Sequence, residues 1–241
     1  MLIKGKHAIL EALRQKQPIL TIILSSQSDS DKRVADIEAL ATRRGIPVEY
    51  IRPDQFKHRF KEENTQHAVA RLRSIDLLPF KTIIDNADHY QRVVVLDHIE
   101  DPFNFGAIIR TCATQGVDAI VYPKNRNATL SSGVHKASSG ALYHVPLSCV
   151  SNISQSLMQL SKAGFWIYGS DSHAATKLAD ISVQTPFVLV MGNEHKGVSQ
   201  SVRKQLHDVV KVEMCGKLDS LNVSVAAGIL LYTFNRKVDA C

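Results

Sequence analysis

From Val93 onward the chain repeats one device: a short, mostly apolar run, a polar turn, then a segment with helical spacing. The apolar runs are VVVLD (93–97), AIVY (119–122), FWIYGS (165–170), FVLVM (187–191) and VVKVEM (209–214). Helical patterns fall at 107–115 (AIIRTCATQ), around 152–163, near 199–207 and over 221–237. A half-solvated strand alternates apolar and polar residues, and the first four of these runs do not. Strands apolar on both faces and separated by helices predict a mostly parallel sheet covered on both sides, an α/β fold.

The first third reads differently. KHAILEALRQK (6–16) and DKRVADIEALATRR (31–44) have amphipathic helical spacing, the second stopping at Gly45, while ILTIIL (19–24) and VEYI (48–51) read as strands. These features predict a small α/β domain over 1–73. Residues 74–90, with Pro79 and mixed charge, are expected to form a linker containing at most a short helix, and 91–241 a second domain.

Charge separates the two parts as well. Residues 1–73 hold fourteen Lys or Arg against nine Asp or Glu, whereas 91–241 hold fourteen against eleven, within a chain of formal charge +6. A basic surplus leaning toward the N-terminal part suits a polyanion such as RNA, and equally a solvated surface. The cysteines at 112, 149, 215 and 241 form no CxxC pair, which points to free thiols in a reducing compartment. The opening Met-Leu-Ile-Lys-Gly-Lys lacks an apolar signal core and no run reaches membrane-spanning length, so a cytoplasmic, membrane-free protein is expected.

In open α/β sheets ligands gather at the carboxyl ends of the strands. Three such ends carry glycine beside Asn, Glu or Ser: DPFNFG (101–106) with Arg110 one turn later, GNEHKG (192–197), and CGKLDSLNVS (215–224). Taken singly, each has an ordinary explanation. Asp-Pro-x-Asn is a competent helix start, and Ser220 or Asn222 reads equally as an N-cap. Several ligand-binding templates fail. There is no GxGxxG, and Val198 stands where a phosphate-binding loop following Gly192 and Gly197 would carry Lys. There is no GxSxG elbow. The histidines form no HxxxH pair, so no metal site is expected.

Taken together, the three loops resemble the SpoU branch of the SPOUT RNA methyltransferases. Asp-Pro-x-Asn-x-Gly-Ala followed by Arg stands as DPFNFGAIIR (101–110), an apolar strand ending Met-Gly-x-Glu-x-x-Gly as LVMGNEHKG (189–197), and Ser-Leu-Asn-Val-Ser as SLNVS (220–224). The N-terminal part is similar to the substrate-binding domain of bacterial 23S rRNA guanosine-2′-O-methyltransferases, through IKGKHAILEAL (3–13) and TQHAVARL (65–72). Departures are Gln-His for His-Gln-Gly in that second segment, His195 where many relatives carry Gly, and Val212-Glu213-Met214 where Ile-Pro-Met is usual.

The resemblance implies a C-terminal trefoil knot, although topology rules alone predict an unknotted sheet. It implies S-adenosylmethionine as cofactor without a metal, a homodimer formed through the catalytic domain, and methylation of an RNA ribose 2′-hydroxyl. A guanosine of 23S rRNA is the favoured target, with tRNA second and a non-catalytic RNA-binding assembly or resistance factor third. By the same resemblance, Asn104, Arg110, Glu194, Ser220 and Asn222 form the catalytic group. Gly192, Val212, Met214 and Leu221 meet the cofactor. Arg110 clamps RNA phosphate and orients the hydroxyl, or serves as the base, for which a guanidinium is chemically poorly suited. Arg43, Arg44, Lys57, Arg59 and Lys61 are the candidate RNA contacts of the first domain.

Overall fold

The computed structural model describes residues 2–26, 31–60, 65–172 and 174–238. It divides into two compact units, residues 1–75 and 76–241.

The first unit is a four-stranded mixed sheet in the order β1-β4-β2-β3. Its elements are β1 (Leu2–Lys4), α1 (Lys6–Arg14), β2 (Ile19–Ser25), α2 (Lys32–Arg43), β3 (Val48–Ile51), α3 (Pro53–Arg59) and β4 (Ala68–Leu72). Successive strand residues point to opposite faces, and both faces are used. Ile22, Leu24, Ala68, Ala70 and Leu72 pack with Ile9, Leu13, Val34 and Ile37 of α1 and α2. Ile23 and Val69, on the other face, pack against Phe56 of α3. Asp31 starts α2 by accepting from the Arg33 amide at 2.9 Å, and the same carboxylate binds Lys6 at 2.9 Å. Those bonds hold the Asp31 carboxyl below the usual range, with the Lys6 bond first.

The second unit is a seven-stranded sheet in the order β7-β6-β5-β10-β8-β11-β9, parallel at every pairing. In chain order it comprises α4 (Phe80–Asp85), β5 (Arg92–Asp97), α5 (Pro102–Thr114), β6 (Ala119–Pro123), α6 (Ser132–Ser138), a 3-10 turn at Ala141–Tyr143, and β7 (Leu147–Val150). Then follow α7 (Ile153–Lys162), β8 (Trp166–Ser170), β9 (Thr176–Lys177), β10 (Phe187–Gly192), α8 (Gln200–Arg203), β11 (Asp208–Lys211) and α9 (Val223–Val238). One face, bearing Val93, Val95, Val121, Ile167, Val188 and Val190, packs on Ile83 of α4 and on Ile153, Leu157 and Leu160 of α7. On the other face Phe105 of α5 meets Tyr122, and Phe234 of α9 meets Tyr168 and Phe187, with ring centroids 5.1–5.5 Å apart. This double coverage is why β5, β6 and β10 carry no polar alternation.

Three differences from the sequence reading have physical causes. The segment 74–90 is not a free linker beyond Ile75: Ile83 is fully buried, and Leu78 donates its amide to the Leu147 carbonyl at 2.7 Å. Helix α5 begins at Pro102, so DPFNFG is its cap and first turn rather than a preceding loop. Strand β11 ends at Lys211, because Val212–Met214 already belong to the loop that leads to α9. Strands β1, β4, β7 and β9 and helices α3 and α6 are too short for periodicity to reveal.

Candidate active site

The carboxyl ends of β5, β10 and β11 lie along one edge of the sheet, as parallel strands require. Asp101 is the N-cap of α5: its carboxylate accepts from the Asn104 amide at 2.9 Å, and Pro102 occupies the first helical position, where no amide hydrogen is needed. With capping done by Asp101, the side chain of Asn104 is left for other partners. Its Nδ2 donates to Oε1 of Glu194 at 3.1 Å, while its Oδ1 accepts from Nδ2 of Asn222 at 2.9 Å. Oδ1 of Asn222 in turn accepts from the amide and hydroxyl of Ser224 at 2.9 and 2.6 Å. One amide thus joins the loops after β5, β10 and β11, and the pattern fixes its orientation.

The β10 loop is closed on itself. Asn193 and Gly197 exchange backbone hydrogen bonds at 2.9 and 3.0 Å, and a Cβ on Gly192 would lie 2.3 Å from the Gly197 carbonyl carbon. Asn193 Oδ1 accepts from the His195 and Lys196 amides, and its Nδ2 donates to the His98 carbonyl at 2.8 Å. The loop is therefore held by its own hydrogen bonds without being buried.

A cavity of about 380 Å³ opens beside these loops. Gly192, Glu194, Val212, Met214, Ser220 and Leu221 all line it. Asn104 stands behind it through its bond to Glu194, and Asn222 behind Asn104 through the bond between the two amides. Arg110 does not line it: the side chain is exposed on α5 and donates from Nη1 to the Ser139 hydroxyl at 3.3 Å. Eight of the nine residues assigned to catalysis and cofactor therefore gather at one place, and Arg110 stands apart.

The sequence reading missed several participants. Ser170, the last residue of β8, and Asp171 and Ser172 after it line the cavity, and Arg203 joins them through a 2.7 Å ion pair with Asp171. An acid directly after FWIYGS was the available signal. Asp97 was also missed. It is 1% exposed at the end of β5, accepts from the Ser199 amide at 2.7 Å, and binds Nδ1 of His98 at 2.7 Å. It ties the end of β5 to the start of α8. Among the described residues no group of three or more His, Cys, Asp or Glu could hold a metal ion, and no helix is long and apolar enough to cross a membrane.

Of the candidate RNA contacts in the first unit, Arg44 is partly buried and already engaged. Its guanidinium donates to the Leu13 and Gln17 carbonyls at 3.1 and 2.7 Å, so it caps the end of α1 from within the unit. Arg59 pairs with Glu49 at 3.4 Å and lies over the Phe60 ring. Arg43 and Lys57 are exposed, and Lys61 lies outside the described residues.

Residues 91–232 match the SpoU rRNA Methylase family, and residues 2–76 match the family described as RNA 2′-O ribose methyltransferase substrate binding. YacO of Bacillus subtilis, whose name places it in the TrmH family of tRNA/rRNA methyltransferases, is 31% identical over 97% of this chain and 94% of its own. The 23S rRNA (guanosine-2′-O-)-methyltransferase RlmB of Xylella fastidiosa is 31% identical over 95% of this chain and 94% of its own. The AdoMet-bound rRNA methyltransferase of Sinorhizobium meliloti superposes with a TM-score of 0.68 at 23% identity, covering 98% of this chain and 86% of that one. With its three strand-end loops joined through Asn104 and both units matched, the chain belongs to the SpoU rRNA methylase family of RNA methyltransferases.

Proposed function

We propose that this chain is an S-adenosylmethionine-dependent RNA ribose 2′-O-methyltransferase, a cytoplasmic homodimer acting on a guanosine of 23S rRNA. The observation that carries the reading is the Glu194–Asn104–Asn222 bridge, which makes one device of three separate loops. A non-catalytic RNA-binding factor has no need of that bridge. The TrmH-family tRNA/rRNA name of YacO keeps tRNA as the second substrate reading.

The donor set of the cavity fits the cofactor. Met191, Val198, Leu221 and Val223 offer an apolar wall for a purine, and the Glu194 carboxylate suits a cationic ligand, that of Asp171 being already paired with Arg203. S-adenosylmethionine supplies an activated methyl group on a positively charged sulfur. The residues of the chain then have positioning and electrostatic work to do. Asn104 holds the Glu194 carboxylate at a fixed place on the cavity wall. Gly192, Val212, Met214 and Leu221 bound the pocket, with Ser220 exposed at its rim.

We assign Arg110 to RNA phosphate clamping and to orienting the 2′-hydroxyl, since its guanidinium is already a donor to Ser139. Its distance from the cavity lining is accounted for by the homodimer. Phe103, 61% exposed, lies seven residues before Arg110 and so on the same face of α5, while Val225, Ile229 and Tyr232 form an exposed apolar stripe on α9. Covering that surface with a second copy would bring Arg110 to the subunit boundary. The trefoil knot is favoured by the strand order: from β10 the chain passes over β8 to β11, then returns to α9, which packs on α5 and β10.

The test is incubation with methyl-labelled cofactor and total RNA in the presence of a chelator, followed by nuclease digestion. The reading expects label in 2′-O-methylribose. Label confined to bases, or no transfer, would overturn it.

A further inference from the structure

We propose that Ser139 is a positioning residue for Arg110, its hydroxyl fixing the guanidinium in the orientation needed to clamp RNA beside the reacting ribose. This rests on the reading of Arg110 given above. Nη1 of Arg110 donates to Oγ of Ser139 at 3.3 Å across 29 positions of sequence. A long, exposed arginine on a helix otherwise samples many rotamers, and a fixed acceptor selects among them. The contact engages one of five N–H groups. The edge formed by Nε and Nη2 stays available, and that is the fork geometry that matches a phosphate.

The serine itself sits where its residue type is unfavourable. At the C-cap of α6 it has φ 48° and ψ 41°, and Gly140 follows with φ 88°. Left-handed backbone at a helix end is the habit of glycine or asparagine, because a Cβ crowds the carbonyl there. Glycine at 139 would relieve the backbone but would remove the hydroxyl. An observed backbone outlier beside a functional group is a reason to ask what its side chain does.

The turn that carries it is firmly seated. A Cβ on Gly106 would lie 2.5 Å from Cβ of Ala137 and 2.7 Å from the Val134 carbonyl, so α6 rests on α5 one turn before Arg110 with no gap between them. Ser138 Oγ donates to the His135 carbonyl at 3.1 Å, and the Tyr143 hydroxyl meets His135 Nδ1 at 3.2 Å. The acceptor offered to Arg110 is therefore part of a packed element.

Three variants of the full-length protein separate positioning from stability. Ser139→Ala removes the acceptor, Ser139→Gly removes it while relieving the backbone, and Ser139→Asn restores an acceptor in a residue that tolerates the conformation. Their kcat and KM for RNA, cofactor affinity and melting temperature are measured beside the wild type. Ser139→Gly is expected to melt at or above the wild type yet to lose about tenfold in kcat/KM for RNA, with cofactor affinity unchanged. Ser139→Asn should recover most of that loss. In an Arg110→Ala background, Ser139→Gly should cost nothing further, since the partner is already gone. A Ser139→Gly protein with wild-type kcat/KM would overturn the proposal, as would a loss undiminished when Arg110 is absent. If the wild type binds RNA but transfers no methyl, the methyltransferase reading fails on its own. Ser139 is then judged by RNA affinity, which Ser139→Gly should weaken only while Arg110 is present.

Discussion

The two units put charged and polar side chains to different use. In the first, several basic residues are tied into the unit's own structure: Lys6 to Asp31, Arg44 to two carbonyls at the end of α1, Arg52 to Asp54 and Arg59 to Glu49. In the second, the polar groups that matter converge from three distant loops on one edge of an apolar sheet, through Asn104, Glu194 and Asn222. The difference teaches that net charge and function are separable. A basic surplus locates a surface that tolerates RNA, whereas chemistry is located by polar groups held against one another by strands that cannot move.

The sharpest way to break the comparison is Arg110→Ala. We expect kcat/KM for RNA to fall about a hundredfold or more, with cofactor affinity unchanged, since Arg110 lies outside the cavity lining. Arg110→Lys should recover little, a point charge being no substitute for a planar fork. Gly192→Ala should do the reverse. Its Cβ would collide with Gly197 and Val198, so the β10 loop must open and cofactor affinity should drop about tenfold or more by calorimetry.

A smaller effect contrasts two kinds of arginine in the first unit. Changing Arg43 and Lys57 together to Glu should weaken RNA binding and flatten its dependence on salt, because two exposed cations are lost. Arg44→Ala should leave the salt dependence alone and destabilise the first unit by about 1–3 kcal/mol, through the carbonyls it deserts. Equal salt slopes for the two proteins would erase the distinction.

The smallest effect concerns acid. Burial pushes the His135 imidazole from 6.5 down to about 4, so the folded second unit holds it neutral. A depressed pKa of this kind contributes stability that is complete above about 6.5 and is lost as pH falls toward 4. Melting curves across that range should show the loss, and His135→Gln should make the curve flatter.

Much of this division was legible in the chain. The apolar runs ending at Asp97 and Met191 located the loops after β5 and β10, since a strand buried on both faces must be apolar and whatever follows it is released to the sheet edge. What the sequence concealed was long-range. Arg44 looks like any basic residue in a helix tail, and only the fold brings the Leu13 and Gln17 carbonyls to it. Asp97 is one acid among 23 Asp and Glu until its partners, Ser199 and His98, are placed around it. Segment 74–90 looked like a linker because a helix as short as α4 shows little periodicity, although Ile83 anchors it in the core.

The claim that the second unit by itself holds the cofactor site is tested most directly by calorimetric titration of S-adenosylmethionine into residues 76–241, in chelator, beside the full chain. Every residue lining the cavity lies within that unit, so the two affinities should agree within about twofold and chelation should change neither. A folded 76–241 that binds the cofactor tenfold more weakly than the full chain, or only with a divalent metal, would contradict the account.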